Sequence, residues 1–322
     1  MSDGGSVPGS AWFYQPSFAT PMMYAGNYAL IGAYHLHRCM SVLRFERFCS
    51  FISLTLRSSR FNWSWVNCCF FVSCVLYFQG YMVRQVARYL LCYNNVYAYL
   101  ASTLPIDLAA PILIVANCCI LAGTFSYVPH LSPIHPDRMV PVLGTLTAVV
   151  ETIRVYLTLR APSNPSYYAP HSLELTRASL ALQLSAITLF YLLAARFHYR
   201  VVQSVRVPYY NRVRAVLRTL YVSMLLILVR TLYRSAAHFG GADAYALLVL
   251  SSGSAAEQPE SLWQELFLFL FEAGAMMFNV IMWYLRHPKD FLPPPGCGRY
   301  LAPDGKTEVD GSVEGAAEKR KM

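Results

Sequence analysis

The sequence carries little charge for its length. Only 13% of its 322 residues are charged, whereas a typical soluble domain has about 25%. Hydrophobic residues make up 56%, and the mean hydropathy of +0.37 is high for a water-soluble globule. The net charge is +9, but no basic run alternates with aromatic residues over a polar domain. These features exclude nucleic acid as a partner and indicate membrane lipids instead.

Motifs for catalysis, nucleotide binding and metal binding are also missing from the sequence. The chain holds nine cysteines but no C-x-x-C pair and no Cys/His set with zinc spacing. It contains no P-loop, G-x-S-x-G, H-E-x-x-H or G-x-G-x-x-G. Residues 1–21 lack the basic and apolar regions of a cleaved signal peptide, so we expect the first spanning helix to target the chain. The sequence predicts no enzyme, cofactor or metal site.

Seven stretches are long and apolar enough to cross a bilayer as helices. A crossing takes about 20 apolar residues, because the hydrocarbon layer is about 30 Å thick and each residue adds about 1.5 Å. Several stretches are apolar on every side, whereas helices of a soluble protein carry polar stripes. We expect an all-α integral membrane seven-helix bundle over 21–292, with spans at about 21–41, 63–83, 99–123, 139–159, 175–198, 215–238 and 262–285.

The positions of lysine and arginine predict how this bundle is oriented. The first and fifth loops hold four arginines each, and the C-terminal tail holds seven basic residues. The N-terminal tail at 1–20 and the sixth loop hold none. Because basic residues are enriched on the cytosolic side, we expect the N-terminus outside and the C-terminus in the cytosol. The plasma membrane is the expected location.

Two segments depart from the pattern of the spans. Residues 42–61 are too charged to cross a bilayer, yet they are richer in Phe and Leu than an ordinary loop. They are interpreted either as an amphipathic helix at the membrane surface or as an insertion, such as a translated intron. Residues 293–322 are polar and are predicted to form a disordered cytosolic tail.

Polar side chains inside the spans form the candidate site. An ionised side chain near the bilayer centre costs roughly 2.5–3.5 kcal/mol on insertion scales, so such residues face partners or water. Arg230 and Arg234 lie one turn apart on one face of span six, where acids of span seven are expected to pair with them. Besides these arginines, the candidate residues are Gln79, Arg84, Asp107, Glu151, Gln183, Glu265 and Glu272.

Two roles are open for these charges at the level of sequence. They are ion pairs that fix the register of the helices, or they line a partly hydrated cavity. Such a cavity would hold a charged headgroup while apolar walls hold its tail. Pro105, Pro111 and Pro141 interrupt spans three and four, which occurs both in transporters and in passive membrane helices.

A series of short motifs and single residues extends from about residue 14 to 292, interrupted at 42–61. The series consists of YQPS at 14–17, Asn27, His35, GYMVR at 80–84, LPIDLAA at 104–110, Gln183, Phe190, FHYR at 197–200, LYVSMLLILVRTLYR at 220–234, Glu265, Phe269, Phe271, Glu272 and HP at 287–288. In order and spacing it resembles the fungal RTA-like proteins, the lipid-translocating exporter family. The chain departs from that pattern at Gln79, where the family usually has Glu, and at Glu272, which replaces an Asp.

The resemblance implies a seven-helix protein that moves or exports amphipathic lipids, such as sphingoid bases or phospholipids, or that confers resistance to membrane-active toxins. Its ligand would be an amphipathic lipid or a sterol-like small molecule whose headgroup contacts the arginines and acids. Two other functions stay open. One is a receptor or sensor that signals through the fifth loop and the C-tail, and the other is a structural membrane protein whose charges only hold helices together. No oligomeric state is predicted.

Overall fold

The computed structural model is mostly helical, as predicted, and describes residues 19–52, 63–90, 96–134, 136–160, 165–205, 209–236, 268–293 and 299–310. Its helices are α1 (Ala19–Ile52), α2 (Trp63–Tyr89), α3 (Val96–Tyr127), α4 (Pro136–Arg160), α5 (Pro165–Ser204), α6 (Tyr209–Ala236) and α7 (Ala275–Leu285). A π-helical segment, Leu268–Gly274, leads directly into α7. Single 3-10 turns lie at Pro129–Leu131 and Pro288–Asp290.

Four helices among the described residues are long and apolar enough to cross a membrane. They contain Trp65–Ala87, Leu100–Tyr127, Glu174–Ser204 and Tyr209–Ala236, which correspond to predicted spans two, three, five and six. Predicted spans one and four fall in α1 and α4, and residues 268–285 cover most of span seven. The first 18 residues of the predicted tail and residues 262–267 lie outside the described residues.

The first helix is longer than the sequence predicts. Because α1 continues without interruption to Ile52, residues 42–52 extend that helix. The two interpretations of the 42–61 stretch, an amphipathic helix at the membrane surface or an insertion, stay predictions. The remainder of that stretch, 53–61, lies outside the described residues.

The helix pairs α1–α2, α3–α6 and α6–α7 pack antiparallel, and α3 lies at the centre. Within the apolar window of α3, 78% of the residues are buried. α2 approaches α3 closely at Gly80, where an added Cβ would lie 2.7 Å from the carbonyl oxygen of Ser102. The contacts that fix the helix directions are Tyr28–Tyr77 and His35–Phe70 for α1 and α2, Ile106–Arg230 and Asn117–Ser223 for α3 and α6, and Arg230–Glu272 and Ser223–Asn279 for α6 and α7.

Exposed and buried side chains are distributed as expected for a protein in hydrocarbon. Leu30, Leu192 and Leu285 are 74%, 64% and 69% exposed on the outer faces of their helices. Asn117 and Ser223, in contrast, are fully buried between helices. Extended apolar surface is unfavourable in water but not in lipid, so these outer faces suit a bilayer.

Two tyrosines of α1 support the π-helical segment. The Tyr24 hydroxyl donates to the carbonyl oxygen of Phe269 at 3.2 Å, and the Tyr28 hydroxyl donates to that of Ala273 at 2.9 Å. The rings of Tyr24 and Phe269 stack with their centroids 5.5 Å apart. A π-helical turn is rare and is frequent at functional sites. These contacts therefore fix the backbone on either side of Glu272, which lies within the segment.

Part of the C-terminal tail is ordered, which corrects the prediction of disorder over 293–322. The strands β1 (Arg299–Leu301) and β2 (Glu308–Asp310) form an antiparallel hairpin in which Arg299 pairs with Asp310. Leu301 is fully buried, because the hairpin packs beside the end of α3. Glu308 accepts a hydrogen bond from the Tyr127 hydroxyl. The end of the molecule that holds residues 299–310 is called the hairpin end below.

The turn of this hairpin lies directly against the end of α5. Gly305 has a φ of +64°, a left-handed conformation that side chains other than glycine rarely adopt. A Cβ on Gly305 would lie 2.5 Å from the carbonyl oxygen of Ser204. The close approach and the positive φ both require glycine here.

A buried histidine closes α7 at the same end. Lys289 donates its backbone N–H to His287 Nδ1 at 3.1 Å, so the ring proton is on Nε2, which donates to Asn67 Oδ1 at 2.9 Å. Burial, together with the charges of Arg38, His35 and Lys289, lowers the pKa of His287 from its usual 6.5 to about 3. The folded protein therefore holds this imidazole neutral.

Replacing Gly305 by Ala should release the hairpin without disturbing the helices. The added methyl group would clash with the Ser204 carbonyl oxygen. The left-handed backbone conformation also costs an alanine roughly 1–2 kcal/mol. Hydrogen exchange measured on residues 299–310 should rise by about tenfold or more. Gly26→Ala is the matched control, since nothing lies within 4 Å of its Cβ. Unchanged exchange in Gly305→Ala would show that the hairpin does not depend on this contact.

Acidification should destabilise the protein through His287. Between about pH 3 and 6.5, the unfolded chain binds a proton here that the folded chain does not, so the free energy of unfolding falls as pH falls. At pH 5 the loss is about 2 kcal/mol relative to pH 8. Thermal unfolding at both pH values should show a smaller pH dependence for His287→Gln than for the wild type. An identical dependence in the two proteins would contradict this assignment.

Candidate functional site

Six charged side chains meet in the half of the molecule that lies away from the hairpin end. We call them the ionic cluster. They come from α3, α4, α6 and the π-helical segment, and they are Asp107, Glu151, Arg154, Arg230, Arg234 and Glu272. Arg230 lies 21 residues after the start of α6, or about 30 Å from the hairpin end.

The pair of Arg230 and Glu272 is the most deeply buried part of the cluster. These residues are 2% and 1% exposed, and Arg230 Nη2 donates to Glu272 Oε1 at 3.0 Å. The same nitrogen donates to the carbonyl oxygen of Ile106 at 3.1 Å. The pair therefore joins α6, α3 and the π-helical segment at one point.

Asp107 connects this pair to α4. Arg234 Nη2 contacts Asp107 Oδ1, while Arg234 Nε lies 3.5 Å from Glu272 Oε1. On the other side, Arg154 Nη1 donates to Asp107 Oδ2 at 3.4 Å. The Asp107 carboxylate thus lies between two guanidinium groups from different helices.

Glu151 extends the cluster to α5. Arg154 Nε donates to Glu151 Oε2 at 2.7 Å, as an i, i+3 pair on α4. Glu151 Oε1 accepts from Gln183 Nε2 at 3.1 Å and from the Ser179 hydroxyl. The site brings together the predicted Gln183 and Glu151, with Ser179 as a further member.

Arg84 adds a further positive charge beside the cluster. It is 7% exposed, and its charge acts on Glu272 together with those of Arg234 and Arg230. The described residues here thus include four arginines and three carboxylates, and Glu265 lies outside the described range.

A small cavity lies within the ionic cluster. Its volume is about 20 Å³, and its lining includes Asp107, Arg154, Gln183, Arg230 and Arg234. A single water molecule needs about 10–15 Å³ on the same measure, so the cavity is far too small for a lipid headgroup. The helices are therefore closed around the charges in this conformation.

The structure places one predicted residue away from the site. Gln79 is exposed, whereas Tyr77, Gly80 and Arg84 face the interior of the protein. The reason is helical geometry, because a residue two positions from Tyr77 projects from nearly the opposite side of α2. The prediction that Gln79 belongs to the interior site is wrong.

Three residues of the site were not among the sequence candidates, and Ser179 is one of them. Arg154 is the second, and its spacing of three from Glu151 was the available indication. Tyr77 is fully buried, and its hydroxyl has no hydrogen-bond partner among the described residues. Arg230, Glu272 and Arg234 all act electrostatically on Tyr77, so this hydroxyl lies close to the cluster.

A second, uncharged polar group lies nearer the hairpin end. Ser223 is seven residues before Arg230 on α6, a distance of about 10 Å. Its hydroxyl donates to Asn279 Oδ1 at 2.7 Å and accepts from Trp283 Nε1 at 3.0 Å. Asn117 Nδ2 donates to the Ser223 hydroxyl oxygen at 2.7 Å. This group joins α3, α6 and α7 without any charge.

Neutralising Glu272 should destabilise the protein far more than neutralising an exposed acid. Glu272→Gln leaves two buried guanidinium groups short of a charged partner, which costs about 3 kcal/mol. Glu174→Gln is the matched control, because Glu174 pairs with Arg177 but its side chain is 71% exposed, and such pairs contribute about 1 kcal/mol at most. Thermal unfolding in nanodiscs measures both changes. Equal shifts would contradict the burial argument.

Comparison with known proteins matches most of this chain to one family. The family model described as "RTA1 like protein" matches residues 70–294. A "Lipid-translocating exporter-like protein RTA1" of Leptosphaeria maculans is 28% identical over 323 residues, which cover 97% of this chain and 57% of that protein. One of the same description from Ajellomyces capsulatus is 28% identical over 229 residues, which cover 68% of this chain and 66% of that protein. No solved structure matches the chain.

The match covers the whole ionic cluster but not the hairpin at 299–310. The chain spans just over half of the length of the first of these relatives and just under two thirds of the second. The apolar helices and the family together identify an integral membrane protein. The resemblance drawn from the ordered motifs is confirmed, and the chain belongs to the RTA1-like family of lipid-translocating exporter-like proteins.

Proposed function

We propose that the chain crosses the bilayer seven times, with its N-terminus outside, and moves amphipathic lipids across the membrane at the ionic cluster. The observation that carries the proposal is the buried cluster of Asp107, Glu151, Arg154, Arg230, Arg234 and Glu272 inside otherwise apolar helices. An amphipathic lipid needs this combination, because its headgroup requires charge and its tail requires hydrocarbon.

Stability alone is a weak reason to keep this many charges inside a membrane. Replacing a buried ion pair by well-packed hydrophobic residues is often neutral or stabilising, whereas removing one partner is costly. Charged residues within membrane helices are rare and mark pathways for ions or substrates. The number of charges and the small polar cavity between them therefore support a binding role beyond helix register.

Ion-pair exchange is the proposed way in which a headgroup enters. The ammonium group of a sphingoid base would take the place of a guanidinium beside Asp107 or Glu272. A phosphate would take the place of a carboxylate beside Arg230 or Arg234. Each exchange replaces one paired charge by another, so no charge is left alone in the hydrocarbon.

The cavity of about 20 Å³ has to enlarge before a headgroup fits, and the backbone around it is suited to such movement. Pro105 and Pro111 interrupt the hydrogen bonds of α3 on either side of Asp107. The π-helical segment around Glu272 also departs from the hydrogen bonding of a regular α-helix, and its contacts with Tyr24 and Tyr28 would have to be released for it to move. Irregular backbone of this kind is common where transporters bind substrate.

The proposed substrates are sphingoid bases or phospholipids, and the proposed location is the plasma membrane. Resistance to a membrane-active or sterol-like toxin would follow from export of that toxin. Because the sequence has no nucleotide-binding motif, movement is facilitated or driven by a gradient. The description of the two relatives as lipid-translocating exporter-like proteins supports the same class of ligand.

Neutralising the cluster should abolish transport while the protein still reaches the membrane. We expect Arg230→Gln, Arg234→Gln and Glu272→Gln each to reduce the export of a fluorescent long-chain base to background, with loss of tolerance to added base. Direction-resolved lipid flux and surface expression are measured in the same cells. Arg177→Gln is the control, because its ion pair with Glu174 includes no residue of the cluster. Wild-type export in all three variants would disprove the assignment.

Exchanging the two charges of the Arg230–Glu272 pair distinguishes a binding site from a purely structural ion pair. The double variant Arg230→Glu/Glu272→Arg keeps two opposite charges facing each other between α6 and the π-helical segment. It should regain part of the thermal stability that Glu272→Gln loses, but not transport, since the charges that meet a headgroup are reversed. Recovery of both stability and transport would show that the pair only fixes helix register.

A further inference from the structure

The outer face of α5, together with Tyr221 of α6, forms an open groove of about 680 Å³, here called the α5–α6 groove. This volume falls within the range of about 300–1,000 Å³ that is usual for small-molecule sites. The rings of Tyr191 and Tyr221 lie nearly parallel in its wall, with their centroids 6.1 Å apart. The described residues that line it include Leu192, Ala195 and Val202, and none of them is acidic. The groove therefore offers an apolar and aromatic surface.

The groove has the length of one leaflet. It extends along α5 from Thr188 to Val202, which corresponds to about 21 Å of helix. Half of the hydrocarbon layer is about 15 Å thick, so the groove accommodates one acyl chain and reaches the headgroup region. Leu192 and Val202 are 64% and 54% exposed, so the groove opens sideways to the surrounding lipid. The lower end of the groove, near Val202, lies close to Ser204, at the hairpin end.

Positive charge lies at that lower end. Arg214, Arg218 and Tyr221 share one face of α6, because they are spaced four and three residues apart. The charges of both arginines reach His198, whose Nδ1 lies 3.5 Å from the Tyr221 hydroxyl in the groove wall. The Arg214 guanidinium also lies over the ring of Tyr210, 5.6 Å from its centre. An apolar groove with two arginines below it matches a lipid with a negative headgroup.

We propose that the α5–α6 groove binds an anionic glycerophospholipid, with its phosphate beside Arg214 and Arg218 and an acyl chain against Leu192, Ala195 and Val202. In the proposed orientation of the chain, the groove faces the cytosolic leaflet, where anionic phospholipids are concentrated. The ionic cluster lies in the opposite half of the helices. The lipid in the groove is therefore a bound partner of the transporter and is distinct from the molecule that the ionic cluster moves.

A sterol fits the groove less completely than an anionic phospholipid. The flat ring system of a sterol could stack on the rings of Tyr191 and Tyr221. It carries no charge, however, and would leave the guanidinium groups of Arg214 and Arg218 without a counterion. Basic pockets at the cytosolic ends of membrane helices bind acidic headgroups for this reason.

Binding of labelled phospholipids to the purified full-length chain tests the proposal. Fluorescent phosphatidylserine should bind at least about tenfold more tightly than phosphatidylcholine with the same acyl chains. The double variant Arg214→Gln/Arg218→Gln should weaken phosphatidylserine binding by about 30-fold, because each arginine near an acidic lipid contributes about fivefold. Ala195→Trp should abolish the binding of both lipids, since its side chain fills the groove.

Matched variants elsewhere on the surface should leave this binding unchanged. Arg286→Gln removes an exposed arginine after α7, and Val149→Trp enlarges a side chain that is 56% exposed on α4. Arg234→Gln, within the ionic cluster, should also retain the preference for phosphatidylserine over phosphatidylcholine, so failure of the groove and failure of the proposed transport site are separable. Equal affinity for the two phospholipids, equal loss in Arg286→Gln, or displacement of the label by sterol but not by phosphatidylserine would overturn the proposal.

Discussion

The requirement that charge be paired inside hydrocarbon governs this structure, and the contact between Arg230 and Glu272 is where it acts most strongly. Both side chains are almost completely buried, so each is tolerable only because of the other. The contact joins α6 to the π-helical segment, and the bond from Arg230 to the Ile106 carbonyl adds α3. Asp107 in turn pairs with Arg154, which extends the network of paired charges to α4. The packing of four segments thus depends on satisfying a few charges.

Polarity inside the protein is arranged in successive groups along the helices. The ionic cluster lies at one level, and the uncharged group around Ser223 lies about two turns nearer the hairpin end. The spacing is the same in α6 and α7, since Ser223 precedes Arg230 by seven residues and Asn279 follows Glu272 by seven. A third contact, between His287 and Asn67, closes the interior at the hairpin end. The outer faces, in contrast, are apolar along their length.

The kinds of residue at the site were predictable, but their partners were not. Arg230, Glu272, Asp107, Glu151 and Gln183 could be selected because polar groups in apolar helices are costly and rarely accidental. Helical spacing also predicted that Arg230 and Arg234 share a face. It did not predict that Asp107 of α3 would lie between Arg234 and Arg154, because this depends on how α4 and α6 pack around α3. Gln79 was assigned to the interior for the same reason, since hydropathy identifies a span but not which of its sides faces lipid.

The sequence by itself determined that the chain is helical, apolar and a member of its family, because span length, hydropathy and ordered motifs are local properties. The tertiary structure decided that residues 299–310 form a hairpin and which charges meet. Each of these depends on contacts between residues far apart in the chain. The hairpin illustrates the reason, because Leu301, Gly305 and Glu308 belong to a polar segment with little hydrophobic pattern of its own. Its order comes from α3 and α5, which provide the apolar surface, the Ser204 carbonyl and the Tyr127 hydroxyl against which it packs.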